Sequence, residues 1–165
     1  MAARQWDSRL YTNTFKRHIT QKCNFLNYDE CYIYIMISVA VVEDLEDYRN
    51  GLVNLINWNK EYECIGSYAT AEEAMKYLPQ LRPDVALIDI GLPGKSGIEL
   101  VEYIHKVIPS TLCMMCTAYD EDEKVFKALK AGAYGYLVKS ASPGEILEAI
   151  LKLVNGGSPM NSDVA

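Results

Sequence analysis

The stretch Val85-Ala86-Leu87-Ile88-Asp89-Ile90-Gly91-Leu92-Pro93-Gly94-Lys95-Ser96-Gly97 decides the fold. Four successive apolar residues without polar alternation read as a strand covered on both faces. The strand runs straight into a carboxylate, and the glycines and proline that follow punctuate a turn. Working outward, the same grammar repeats. Upstream, Ile37-Ser38-Val39-Ala40-Val41-Val42 is an apolar strand that ends in Glu43-Asp44. Tyr48, Leu52, Leu55 and Ile56 fall at helical spacing over 46–57, and a short strand follows at 62–68. Thr70 and Glu73 form a capping box for a helix over 71–80, with Pro79 near its end. Downstream, a helix over 98–107 stops before Pro109. A strand over 111–116 then leads into Thr117, and a helix over 121–131 ends at Gly132. The last strand, 134–138, leads into Lys139. Ser142-Pro143 opens a final helix, proline taking its first position, and the helix runs to Val154 before Asn155-Gly156-Gly157.

Five alternations of strand and helix predict a doubly wound α/β domain around a parallel sheet. In such sheets ligands sit outside the carboxyl ends of the strands. The residues just past each strand therefore belong together: Glu43 and Asp44, Asp89, Thr117, and Lys139. Close carboxylates repel unless a cation compensates. Oxygen ligands with room for water suit Mg²⁺. A carboxylate can attack phosphorus, with metal and ammonium neutralising the transferred group.

On these residues the chain over 36–155 resembles a response-regulator receiver domain of two-component signalling. The resemblance is carried by Val41-Val42-Glu43-Asp44, by Leu87 to Gly97, by Cys116-Thr117-Ala118-Tyr119 and by Gly132-Ala133-Tyr134-Gly135-Tyr136-Leu137-Val138-Lys139. It implies a five-stranded flavodoxin-like sheet of order 2-1-3-4-5. It also implies that Asp89 accepts a phosphoryl group and that Glu43, Asp44, Asp89 and the Gly91 carbonyl organise Mg²⁺. Thr117 and Tyr136 would form a switch pair, and Lys139 would bind phosphate. Glu43 stands where many members have Asp, and its longer side chain points to contact through a metal-bound water. The implied partners are a sensor histidine kinase and, through the face of the fourth helix, fifth strand and fifth helix, a second copy. Glu145, Glu148 and Lys152 are expected on that face. Tyr119 is expected to shield the phosphoryl group from water. DNA would be reached only through an effector absent from these residues.

The remaining features set limits. A net charge of -6 gives no support to direct nucleic-acid binding. The five cysteines, irregularly spaced, do not read as a disulfide framework. Cys113 and Cys116 form a C-x-x-C inside an apolar strand and are expected in the core. A reducing cytoplasm fits, and no apolar run is long enough for a membrane span. The order of Gly94, Lys95 and Gly97 does not match a phosphate-cradling loop, and a flexible loop is expected there. His105 is expected on the surface or in packing. Residues 1–35 read as an N-terminal extension, either a non-native or disordered leader before a natural start at Met36 or a real docking segment. Residues 156–165 read as the start of an interdomain linker. Two alternatives stand beside a transcription-control output. One is a stand-alone receiver acting on a protein partner. The other is a Mg²⁺-dependent phosphatase with an aspartyl intermediate, for which position 91, a glycine, lacks the general acid. The receiver reading expects self-phosphorylation and autodephosphorylation chemistry but no enzyme.

Overall fold

The computed structural model describes residues 18–20, 34–118 and 122–160. The elements are β1 (His18–Thr20), β2 (Tyr34–Val42), α1 (Glu46–Trp58), β3 (Tyr62–Tyr68), α2 (Ala71–Leu81), β4 (Val85–Ile88), α3 (Gly97–Val107), β5 (Leu112–Thr117), α4 (Asp122–Ala131), β6 (Gly135–Val138) and α5 (Pro143–Val154). β2 pairs in parallel with both β3 and β4, and the ladder continues through β5 to β6. Counted in chain order, the five parallel strands lie 2-1-3-4-5, as expected.

Strand alternation builds two cores, one on each face of the sheet. Ala40, Val42, Ala86, Ile88, Cys113 and Met115 face α2, α3 and α4. Val39, Val41, Val85, Leu87 and Met114 face α1 and α5. Both layers are fully buried at their centres, which accounts for the unbroken apolar strands. Cys113 and Cys116 are free thiols. Their offset of three along β5 sends them to opposite faces, so they share neither a disulfide nor a metal. Burial pushes the Cys113 thiol up to about 12.

Helix starts follow local chemistry. Ser96 and Glu99 form a complete capping box on α3, and Ser142 and Glu145 form another on α5. The box expected on α2 is altered. Thr70 accepts from the Glu73 amide, but the Glu73 carboxylate turns back to the Ala69 amide. In the loop before α3, a Glu72 carboxylate oxygen accepts the Lys95 amide at 3.0 Å.

Two findings concern the ends. β2 begins at Tyr34 and crosses the expected boundary at residue 36, and its first residues pair antiparallel with β1. Alternating tyrosine and isoleucine before Met36 has the β propensity to extend the strand. The rest of the N-terminal extension, Tyr119 and the end of the expected linker lie outside the described residues. At the other end the chain turns back after α5. The Tyr136 amide donates to the Pro159 carbonyl at 2.9 Å, and Met160 bridges Tyr136 in parallel. Pro159 is buried there.

Gly97 sets how closely α3 approaches the sheet. A Cβ at this position would fall on the carbonyl oxygen of Asp89. Gly97→Ala is expected to destabilise the domain by about 3 kcal/mol, since backbone must move to admit the methyl group. Ser96→Ala, which removes only the cap, should cost about 1 kcal/mol. Urea unfolding of the two variants checks both the sizes and their order.

Candidate functional site

Three strand ends deliver the site. The Glu43 amide donates to the Tyr68 carbonyl, the Asp89 amide to the Val42 carbonyl, and the Lys139 amide to the Thr117 carbonyl. The ladder itself thus fixes where these side chains start. Lys139 Nζ then lies 2.7 Å from Glu43 Oε2 and 2.9 Å from Asp89 Oδ2. Glu43 and Asp89 are almost completely buried, and the ammonium is largely so. Asp44, exposed at the rim, completes a cluster in which one oxygen from each of Glu43, Asp44 and Asp89 lies within 4.8 Å of the others.

The electrostatics explain why the cluster holds together. Burial pushes the Glu43 carboxyl up from its usual range, and the nearby Asp89 adds to this. The Lys139 hydrogen bond and the Leu45 amide oppose the rise without cancelling it. For Lys139, burial works against the charge, but hydrogen bonds to Glu43 and Asp89 prevail and raise its pKa. One ammonium between two carboxylates leaves the group net negative. Asp89 Oδ1 is buried and has no hydrogen-bond partner. A buried oxygen in that condition is costly unless something electropositive meets it. An all-oxygen donor set with an orphaned carboxylate oxygen fits a hard divalent cation.

The other expected residues take distinct places. Thr117 ends β5 and is fully buried. Tyr136 sits within β6, its ring fully buried against the α3 and α4 layer. Gly91 lies in an exposed turn just past β4. His105 is exposed, with its ring against Gly132, in keeping with a packing role.

Two residues of the site were not singled out in the sequence. Arg49 Nη1 donates to the carbonyls of Glu43 at 2.6 Å and Asp44 at 3.2 Å, pinning the acidic turn. The Tyr48 ring lies under Lys139 Nζ, 5.0 Å from the ring centroid. Its hydroxyl meets Cys116 Sγ at 3.4 Å. Burial, together with the neighbouring Cys116, keeps this phenol protonated far above the usual range. Helical spacing marks Tyr48 as a core-facing residue. The available signal was its place in the first turn after the acidic pair.

Comparison with known proteins follows the same lines. The family model of the response regulator receiver domain matches residues 39–151. The chain is 36% identical over 130 residues to the DNA-binding transcriptional activator DevR/DosR of Mycobacterium tuberculosis, covering 79% of this chain and 60% of that protein. It is 31% identical over 122 residues to the transcriptional regulatory protein LnrK of Bacillus subtilis, covering 74% and 56%. It therefore spans well under two thirds of the length of these relatives. Among solved structures, a LuxR-family two-component response regulator from Aurantimonas sp. SI85-9A1 superposes with a TM-score of 0.75 at 29% identity, covering 78% of this chain and 92% of that one. A CheY-like receiver domain protein from Methanospirillum hungatei JF-1 gives 0.68 at 29% identity, covering 73% and 94%.

The raised pKa of Glu43 has a measurable sign. Below it the carboxyl holds a proton, and a divalent cation must displace that proton to use the full acidic cluster. Cation affinity should therefore rise with pH from the ordinary carboxylate range through the raised Glu43 pKa, by at most about tenfold per pH unit, and then level off. Mn²⁺ titrations followed by paramagnetic relaxation at several pH values check this. Glu43→Gln is expected to remove the slope.

Proposed function

The chain belongs to the response regulator receiver family, and from that premise we propose that it is the phosphoacceptor half of a two-component transcription regulator. The observation that carries the reading is the buried contact of Lys139 with Asp89 beside an unpartnered Asp89 oxygen. In this reading an oxygen of Asp89 attacks phosphorus. The new O–P bond forms as the bond to the donor's histidine nitrogen, or to acetate in acetyl phosphate, breaks and the electron pair leaves with the donor. Glu43, Asp44, Asp89 and the Gly91 carbonyl would hold Mg²⁺, which when bound supplies positive charge to the transferred oxygens. Lys139 keeps its proton and neutralises the acceptor side. Thr117, at the neighbouring strand end, donates its hydroxyl to the phosphoryl group.

The output is read on the face of α4, β6 and α5. Phe126, Tyr134 and Leu151 are exposed apolar side chains on or beside these elements. Exposed apolar side chains on these elements suit a second copy or a partner. Glu148 and Lys152 are exposed on α5 as expected, while the Glu145 carboxylate is already engaged in capping that helix. Tyr136 is already buried, so its switching role requires an outward position to be populated before phosphorylation. Residues 36–155 are taken as the working domain, a sensor histidine kinase as the donor, and the cytoplasm as the compartment. Residues 156–165 are read as a linker toward a DNA-binding effector. The transcriptional relatives support that reading. Among the described residues no helix is long and apolar enough to cross a membrane.

Acetyl phosphate with Mg²⁺ should add the mass of one phosphoryl group to the parent protein and none to Asp89→Asn. A parent that consumes acetyl phosphate without accumulating an adduct would instead indicate a phosphatase. Beryllofluoride with Mg²⁺ should raise the mass in solution toward that of a dimer, as read by light scattering. Phe126→Glu should keep the protein monomeric under the same conditions.

A further inference from the structure

Tyr48 is a side chain at the site for which the phosphoryl-transfer chemistry above has no role. It occupies the first turn of α1, immediately after the acidic turn. Its ring is held from two directions. The backbone of α1 fixes one end, and the hydroxyl meets the buried Cys116 Sγ at 3.4 Å, one residue before Thr117. The ring face is turned to Lys139, with Nζ 5.0 Å from its centroid. That distance is within the range of attraction between an ammonium and an aromatic face.

Lys139 needs such a wall. Its charge sits on a flexible four-carbon stem with many rotamers. Its charge is shared between two carboxylates, Glu43 and Asp89. Phosphoryl transfer asks the ammonium to stay in place while charge on the acceptor and the incoming group redistributes. An aromatic face offers attraction without a competing acceptor lone pair. It therefore restrains the ammonium without drawing it from Asp89 or from the incoming oxygens.

We propose that Tyr48 is a positioning residue for phosphoryl transfer, its ring holding the Lys139 ammonium over Asp89 while Cys116 holds the ring. This inference rests on the reading of Asp89 as the phosphoacceptor. The aromatic face is the active element, and the hydroxyl serves as its anchor. Phenylalanine therefore keeps most of the effect, and leucine fills the space but loses it.

The test compares the parent protein, Tyr48→Phe, Tyr48→Leu and Asp89→Asn. Rates of phosphorylation by acetyl phosphate with Mg²⁺ are read by intact mass, and the Lys139 side-chain methylene signals by NMR. In the parent those methylene signals should be shifted upfield by the ring. Tyr48→Phe should retain the shift and a rate within about twofold of the parent. Tyr48→Leu should lose the shift and slow phosphorylation about fivefold, the size expected of a partly buried cation–aromatic contact. Equal rates in the leucine and parent proteins overturn the inference, whatever the NMR shows. So does the absence of an upfield shift in the parent, a reading that stands even if the leucine variant fails to fold. A parent that takes no phosphoryl group, or an Asp89→Asn protein that takes one, overturns the functional reading instead.

Discussion

One ammonium shared between two buried carboxylates is the constraint on which the rest of this structure depends. Lys139 reaches Glu43 and Asp89 at 2.7 and 2.9 Å in a pocket from which water is largely excluded. Remove the lysine charge and burial would drive at least one carboxyl to take a proton. Add a second cation and the orphaned Asp89 oxygen gains a partner. The group thus holds together on one positive charge and keeps a buried, unpartnered oxygen that a further positive charge would meet. Arg49 and Tyr48 extend the same logic. The first pins the backbone of the acidic turn, and the second lies against the ammonium.

The sheet is what makes that contact possible. Glu43, Asp89 and Lys139 are separated by tens of residues, yet parallel pairing sets β2, β4, β5 and β6 side by side with their carboxyl ends together. Backbone hydrogen bonds just beyond the strands keep the three side chains in register. Close packing enforces it from outside. The first residue of α3 has no room for a methyl group because the Asp89 carbonyl lies there. The loop between β4 and α3 is thereby tied to Asp89 itself.

The edge strand carries a second contact of consequence. The chain after α5 returns to β6, and Pro159 accepts a hydrogen bond from Tyr136, the expected switch residue. A Cβ at Gly135 would stand 2.9 Å from Pro159 Cγ, so the glycine lets the returning chain lie close. The buried ring and the docked backbone of one residue thus meet the core and the chain's exit at the same point.

Much of this was legible in the order of residues. Unbroken apolar runs ending in Glu43-Asp44, Asp89, Thr117 and Lys139 determine a covered parallel sheet, because only strands buried on both faces lack polar alternation. The family pattern then named the acidic site. Ser142 could be read as a helix start from its neighbours alone, since capping is local. Other features depended on contacts between segments remote in the chain. The Tyr48 ring under Lys139, the pairing of the first residues of β2 with β1, and the return of Pro159 to β6 have no local signature. Periodicity reports which face of an element is apolar. It does not report which atom of a neighbouring element that face will meet, and that was decided only when the layers packed.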